Sequence, residues 1–505
     1  MSFPSSIRRS PRRMFSAAFL VVLLLVCVLG AVENLAVSAV PVLERELGIS
    51  VPEAALLTAM WGVAASLSMP LVGKLGDLFG AKRTLLVAVA VAAAGAIVCS
   101  VAASFPLALI GFALLGLGAS GTVTAVVLVQ ELCAEEYRPS ATGYVVGAIV
   151  LGGVAGTILA GPTVDAFSRF AMYVTPAAVL ALCALLAVFL VPNRAPSKPD
   201  NSRFDWIGLL AFCTALVALQ LALLSSSTTG WASIQVLTGL GVAIVAAVAF
   251  VLIERRALRP FIDLAMLARP SMRGSVLVGF LAGFGYGAGF FLLQQLLVLP
   301  IGPNSPGFGY SLTQISLTLA PCLIVGIAFG PIGGALVRTL GLRTTVVIAL
   351  SITTIGLGML IWWHSEAWQI VLGSVLVIGV GGAMLFTTAL SGVQAAVEGA
   401  ESGIATSIVM TARNLGFIGG APIVAVFILV GSPASAPAPT ELGVQLAFTV
   451  AALIALCGFT VVRKLSVNRA SAQKTGSVLP EQAPEAGGAD EAAAPGPGQG
   501  RSSQD

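Results

Sequence analysis

Fourteen apolar runs divide the chain, at about 15–41, 53–73, 84–104, 107–129, 141–162, 171–191, 206–226, 233–253, 274–298, 313–334, 344–363, 368–392, 403–430 and 443–463. Each is close to or above the ~20 residues a helix needs to cross a bilayer. The pattern predicts an all-α polytopic membrane protein with fourteen transmembrane helices, numbered helix 1 to helix 14 in chain order. The basic residues test that count independently. With the N-terminus placed in the cytoplasm, 23 of the 26 Lys and Arg fall on the cytoplasmic side, Arg45 and Arg169 fall outside, and Arg413 lies within helix 13. This is the asymmetry the positive-inside rule demands, and a miscounted helix would erase it by inverting every later loop. Both termini are therefore expected in the cytoplasm.

Composition agrees with this reading. Hydrophobic residues make up 57% of the chain and charged residues only 10%, against about 25% charged in soluble domains. Mean hydropathy is +0.99. The net charge of +4 follows from topology and gives no reason to expect nucleic acid as a partner. Six cysteines lie in apolar runs and Cys133 faces the cytoplasm, so no disulfide framework is indicated. Arg8 to Arg13 before an apolar run resemble a signal peptide, but the run continues to Pro41 and reads as a retained helix 1. From about Ser466 the chain is rich in Ala, Gly, Pro, Glu and Gln and is expected to be disordered.

Enzymatic chemistry finds no footing. His364 is the only histidine and sits in a short outer loop, which excludes a metal cluster or a Ser-His-Asp triad. No G-x-x-x-x-G-K-[ST] loop is present to cradle ATP phosphates. No cofactor or metal is expected, and the protein is read as not an enzyme.

One loop pattern occurs twice. Gly73-Lys74-Leu75-Gly76-Asp77-Leu78-Phe79-Gly80-Ala81-Lys82-Arg83 is echoed by Gly334-Ala335-Leu336-Val337-Arg338-Thr339-Leu340-Gly341-Leu342-Arg343, with glycine, leucine, charge, glycine and base at the same spacings. A long-period echo in a membrane chain implies two related halves around a central site, the organisation of a transporter.

The first copy resembles the loop 2–3 signature of the major facilitator superfamily. Further segments resemble its fourteen-helix drug:proton antiporter branch: Phe204-Asp205-Trp206-Ile207-Gly208, Gly230-Trp231, Phe250-Val251-Leu252-Ile253-Glu254-Arg255-Arg256 with Pro260, Gly309-Tyr310-Ser311, Gly403-Ile404-Ala405 and Arg413-Asn414-Leu415-Gly416. The resemblance spans about residues 15 to 465. It implies a cytoplasmic tail (1–14), a six-helix half (15–192), a linker with two inserted helices (193–273), a second six-helix half (274–465) and a cytoplasmic tail (466–505).

Candidate site residues follow. Glycines at 73 and 80 permit close backbone approach and a tight turn, and the Asp77 carboxylate suits a helix N-terminus. The resemblance names helix 13, near Gly403, as partner; Arg138 at the foot of helix 5 is the alternative. Gly73, Asp77, Gly80, Arg83 and Arg138 would then form a latch between the halves, whereas the bland reading is an ordinary charged loop. On helix 5, Gly143, Gly152, Gly156, Thr157 and Gly161 follow the antiporter signature, with Thr157 in place of proline and Ala160 in place of a glycine. Small residues there would let helices from the two halves approach; generic packing is the other reading.

Glu33 is the only acidic residue deep within an apolar run. A buried carboxylate in a membrane marks an ion or substrate path by default. In the family pattern Val32 takes the aspartate position and Glu33 lies one residue later, a rotation of about 100°. Arg413 would balance Glu33, gate access or hold a substrate anion, or simply donate to neighbouring carbonyls. Phe112 and Leu115 replace the arginine and glutamine of the family's helix 4 motif, which leaves proton coupling open. The resemblance puts the substrate cavity between helices 1, 4, 9 and 12, with Phe112, Phe284, Tyr286, Phe290, Gln294 and Gln295 as lining candidates. Aromatic faces beside a carboxylate suit amphipathic cations.

The expectation is a monomeric secondary transporter in the plasma membrane that exports amphipathic small molecules in exchange for protons. A proton-independent facilitator or exporter of one metabolite, or a non-transporting receptor, are the alternatives.

Overall fold

The length and apolarity that predict fourteen crossings are realised as helices. The computed structural model describes residues 16–38, 40–49, 51–166, 169–193, 205–257, 260–299, 301–302, 305–310, 312–397, 402–428, 430 and 440–462. Both expected tails, 1–14 and 466–505, lie outside them. Among the described residues, fourteen helices are long and apolar enough to span a membrane: α1 (Ala17–Ala36), α2 (Leu56–Phe79), α3 (Ala81–Val101), α4 (Phe105–Leu132), α5 (Glu135–Gly156), α6 (Phe170–Leu190), α7 (Trp206–Ser226), α8 (Ile234–Arg256), α9 (Pro270–Val298), α10 (Leu317–Leu340), α11 (Leu342–Trp362), α12 (Ala367–Val393), α13 (Ser402–Ile428) and α14 (Glu441–Thr460). The described residues fall within one compact unit. Between α9 and α10 a two-residue strand, Ile301–Gly302, pairs antiparallel with Ser305–Pro306.

Helix ends follow local chemistry. Val40–Leu47 is also helical, and residue 39, between it and α1, lies outside the described residues. Asp205 caps α7 by accepting from the Gly208 N–H at 2.8 Å, and Ser233 caps α8 by accepting from Val236. Glu366 and Gln369 form a reciprocal capping box at the start of α12. Gly80 and Gly341, equivalent positions of the repeated loop, have φ of 94° and 85° and precede α3 and α11. A side chain would be strained at either turn.

Packing builds two six-helix sets. In the first, α1 lies against α5 and α6; in the second, α9 lies against α13 and α12. The sets meet along two seams, α2 with α13 and α5 with α10. Helix α4 is the most enclosed span, 83% buried, and α8 the least, 17%. The inserted helices α7 and α8 pack on each other, and α7 also touches α2 and α13. Large apolar side chains such as Ile234, Val245, Leu210, Phe189 and Val87 are 64–77% exposed. Such a surface is suited to lipid.

Candidate functional site

The repeated loop sits where the two sets touch. Asp77, near the end of α2, accepts the Gly403 N–H on Oδ1 at 2.8 Å and the Ile404 N–H on Oδ2 at 2.9 Å. These amides belong to the first turn of α13, whose N–H groups have no partner within the helix. Each carboxylate oxygen takes one donor, and the positive end of the helix dipole adds to the attraction. Glycine at 73 is required by proximity: a Cβ there would lie 2.6 Å from the Gly403 carbonyl oxygen. Of the other residues expected in this contact, Arg83 is exposed and makes no hydrogen bond or ion pair among the described residues. It is therefore not part of the latch geometry; its solvated head simply adds charge to this face. The Arg138 Nε is buried without an acceptor.

The second copy of the loop makes a matching contact with different chemistry. A Cβ on Gly334 would collide with the Pro139 carbonyl at the foot of α5. Arg338, the counterpart of Asp77 in the echo, lies over the Tyr137 ring with Cζ 5.3 Å from the centroid. Sequence reasoning missed this pair, although the repeat itself places Arg338 opposite Asp77. It also missed Lys82, which is buried and donates to the carbonyls of Val188 (2.8 Å) and Val191 (2.6 Å) at the end of α6. A cation there satisfies carbonyls that a helix C-terminus leaves unpaired.

The glycine ladder of α5 divides between two partners: Gly143 meets the other set, as expected of a seam between halves, whereas Gly152 and Gly156 pack within their own set. Gly143 and Gly147 face α10, where added Cβ atoms would strike Gly330 and Ile327. Gly152 and Gly156 face α1 of the same set, against the carbonyls of Cys27 and Ala31. The reason is rotation: nine residues at about 100° each carry Gly152 to the opposite side of the helix from Gly143, whereas four residues keep neighbours aligned. Thr157 and Gly161 continue the helix, and the packing around both lies outside what the structure describes. The second set repeats the device on α13, where Gly416 and Gly420 close on Phe280 and Phe284 of α9.

Glu33 is half-buried on α1, and its Oε1 is buried with no hydrogen-bond partner. Val32, at the family's aspartate position, is 1% exposed. Arg413 lies on α13 with its Cζ 4.2 Å from the Phe386 centroid and 6.0 Å from that of Tyr286. Among the described residues no ion pair joins it to Glu33, so the two charges stand apart. On α9, Tyr286 stacks on Phe290 with centroids 5.9 Å apart. Tyr286 and Phe290 are half-buried, Gln294 is exposed and Gln295 half-buried. Spacing of four places Tyr286, Phe290 and Gln294 on one face. Two cavity candidates are corrected. Phe112 is 0% exposed within the α3–α4 core, and Phe284 is 2% exposed and stacked on Phe280. Neither can line an open cavity, because neighbouring helices already cover both rings. Nearby, Asn414 donates to Ser66 Oγ at 2.8 Å, bridging α13 and α2.

The chain as a whole is similar to known proteins. A family profile described as Major Facilitator Superfamily matches residues 22–307 and 275–485. The Multidrug resistance protein Stp of Mycobacterium tuberculosis is 26% identical over 380 residues, covering 75% of this chain and 69% of that protein. The probable actinorhodin transporter of Streptomyces coelicolor is 27% identical over 427 residues, 81% of this chain and 71% of its own. The tetracenomycin C resistance and export protein of Streptomyces glaucescens is 26% identical over 408 residues, 74% and 70%. Among solved structures, the human organic anion transporter MFSD10 (TETRAN) superposes with a TM-score of 0.62 at 15% identity, over 90% of this chain and 100% of that one. The transporter FucP, in its outward conformation, gives 0.59 at 15% identity, over 88% and 99%. At that identity these two speak for the fold alone. With a profile match across most of its length, the chain belongs to the major facilitator superfamily and is a membrane transporter of small molecules.

Proposed function

We propose that the protein is a secondary active exporter that moves amphipathic small molecules, drugs or antibiotics among them, across the plasma membrane by alternating access in exchange for protons. The observation that carries this reading is Glu33, a half-buried carboxylate in an apolar span whose Oε1 has no donor. Such a group belongs to an ion or substrate path. The names of the relatives, which include multidrug resistance and antibiotic export proteins, support the substrate class.

In this reading the halves 15–192 and 274–465 rock about the seams α2/α13 and α5/α10, with the inserted pair (193–273) alongside. Glu33 binds proton and substrate in turn. Arg413, Tyr286, Phe290, Gln294 and Gln295 line the substrate path. Gly73, Asp77 and Gly80 hold the seams shut at the basic face, which is the cytoplasmic side with both termini. The Asp77, Gly143 and Gly334 contacts all lie toward that face and support a role in closing it. The working unit is a monomer.

The test is uptake of ethidium into inside-out vesicles, with and without an imposed pH gradient, for wild type and Glu33→Gln. Gradient-driven uptake that vanishes in the variant is the expected result; normal gradient-driven uptake by a well-expressed Glu33→Gln protein would remove Glu33 from the mechanism. A second reading, proton-independent transport, is favoured by Phe112, which stands where the family's helix 4 arginine is expected and is sealed in the core. Uptake indifferent to the gradient would select it.

A further inference from the structure

The inserted helix pair carries a buried acidic site that the transport reading does not use. Asp205 precedes α7, and its Oδ1 accepts the Gly208 N–H at 2.8 Å. Its Oδ2 is buried and has no hydrogen-bond partner. Glu254, in the last turn of α8, is 4% exposed. Its Oε1 accepts the N–H groups of Phe261 (3.1 Å) and Ile262 (3.3 Å), which ties down the chain after the helix. Its Oε2, like Asp205 Oδ2, is buried without a partner.

Gly208 shows how close the two acids are. A Cβ built on it would lie 2.7 Å from Asp205 Oδ2 and 2.7 Å from Glu254 Oε1. Those oxygens are thus at most twice that distance apart, 5.4 Å, and only the missing side chain at 208 leaves room for both. Carboxylates at this range, one buried and the other half-buried with its Oδ2 sealed in, repel when both are ionised, and one proton relieves the conflict. It supplies the donor that two orphaned oxygens lack.

We propose that Asp205 and Glu254 form a protonation site that holds one proton between two carboxyl groups, separate from the central transport path. A metal ion is a poorer fit. Calcium takes six to eight oxygen ligands, and no group of three metal-binding side chains occurs among the described residues.

The charged groups around the pair are few. Lys74, from the repeated loop beside Gly73, acts on Glu254 with an attractive charge. Arg255 and Arg256 follow on the same helix, and Asp263 is engaged in capping its own short helix at Ala265. Arg203 and Arg259 lie outside the described residues. Losing the proton strengthens the pull on Lys74 and so draws the insertion toward the loop that carries Asp77. Because α7 rests on both α2 and α13, the site couples the state of the insertion to that seam.

The test uses full-length protein in nanodiscs and infrared spectroscopy of protonated carboxyl groups at neutral pH, in a Glu33→Gln background so that the transport carboxylate is silent. A protonated-carboxyl band is expected that disappears in both Glu254→Gln and Asp205→Asn. Absence of the band, or its survival in either variant, overturns the shared proton. Thermal unfolding gives a second readout. The amide of Glu254→Gln keeps an acceptor for Phe261 and Ile262 and gives Asp205 a donor, so its melting temperature should match the background. Glu254→Ala, which orphans both amides, should melt lower. A Gln variant as unstable as the Ala variant also sinks the idea. None of these readings depends on transport, so they stand or fall apart from the export mechanism.

Discussion

Asp77→Asn isolates the closure of the basic face. The carboxylate receives one backbone N–H on each oxygen, at 2.8 and 2.9 Å. Asparagine keeps one acceptor and turns the other position into a donor that confronts an N–H. One charge-assisted bond is lost, worth about 1.5–3 kcal/mol, and the favourable charge at the start of α13 goes with it, worth about 0.3–1 kcal/mol more. Taking a net of about 2 kcal/mol, the ratio of closed to open molecules at this face falls roughly 30-fold. Glu136 and Thr344 are exposed positions near this face, one on each half. Spin labels there, in an otherwise cysteine-free protein, report the separation as a distance distribution by electron–electron resonance. The variant should populate a longer distance that wild type barely shows, and export should slow. Identical distance distributions in the two proteins would refute the reasoning, because a contact worth this much cannot be lost silently.

Other perturbations separate the roles argued above. Arg338→Ala, read with the same label pair, should shift the distribution the same way but by less, since an exposed cation–π contact is worth about 0.5–1 kcal/mol. A Cβ on Gly143 would enter the backbone of α10 at Gly330, so Gly143→Val should open the basic face while leaving the melting temperature little changed. Gly152→Val, directed at the Cys27 carbonyl inside one half, should instead lower the melting temperature and expression; swapped outcomes would show that the two faces of α5 have been misassigned. Cys133 lies between α4 and α5, and burial pushes its thiol up to about 11 against the opposing pull of Arg138. With roughly a thousandth of it ionised at pH 8, it should react with maleimide far more slowly than an exposed cysteine, and rapid labelling followed by mass spectrometry would contradict that burial.

Much of the site could be read in advance for particular reasons. The contact of Asp77 with α13 was legible through the family resemblance, which names that helix start; the carboxylate and glycines by themselves left Arg138 open as well. Arg338 over Tyr137 was within reach, since the repeat marks its position, but a base in place of an acid hid the equivalence. The glycine ladder was visible as spacing, yet spacing along one helix does not say which neighbour lies on which side. Phe112 and Phe284 looked like cavity residues because their helices line the expected cavity. Each ring turns into the core instead, a matter of azimuth that residue type does not encode.

From sequence alone came the fourteen apolar spans, the two-fold echo of the loop, the family resemblance and the lone deep acid, Glu33. These are properties of single segments: transfer of an apolar run into lipid is decided residue by residue along that run, whatever its neighbours do. Only the tertiary structure decided that Gly143 meets the other half while Gly152 meets its own, that Arg413 stands over Phe386 apart from Glu33, and that Asp205 and Glu254 share one buried corner across Gly208. Those facts depend on how helices distant in sequence are rotated and how closely they approach. Close packing sets both through the fit of whole surfaces, which no local pattern specifies.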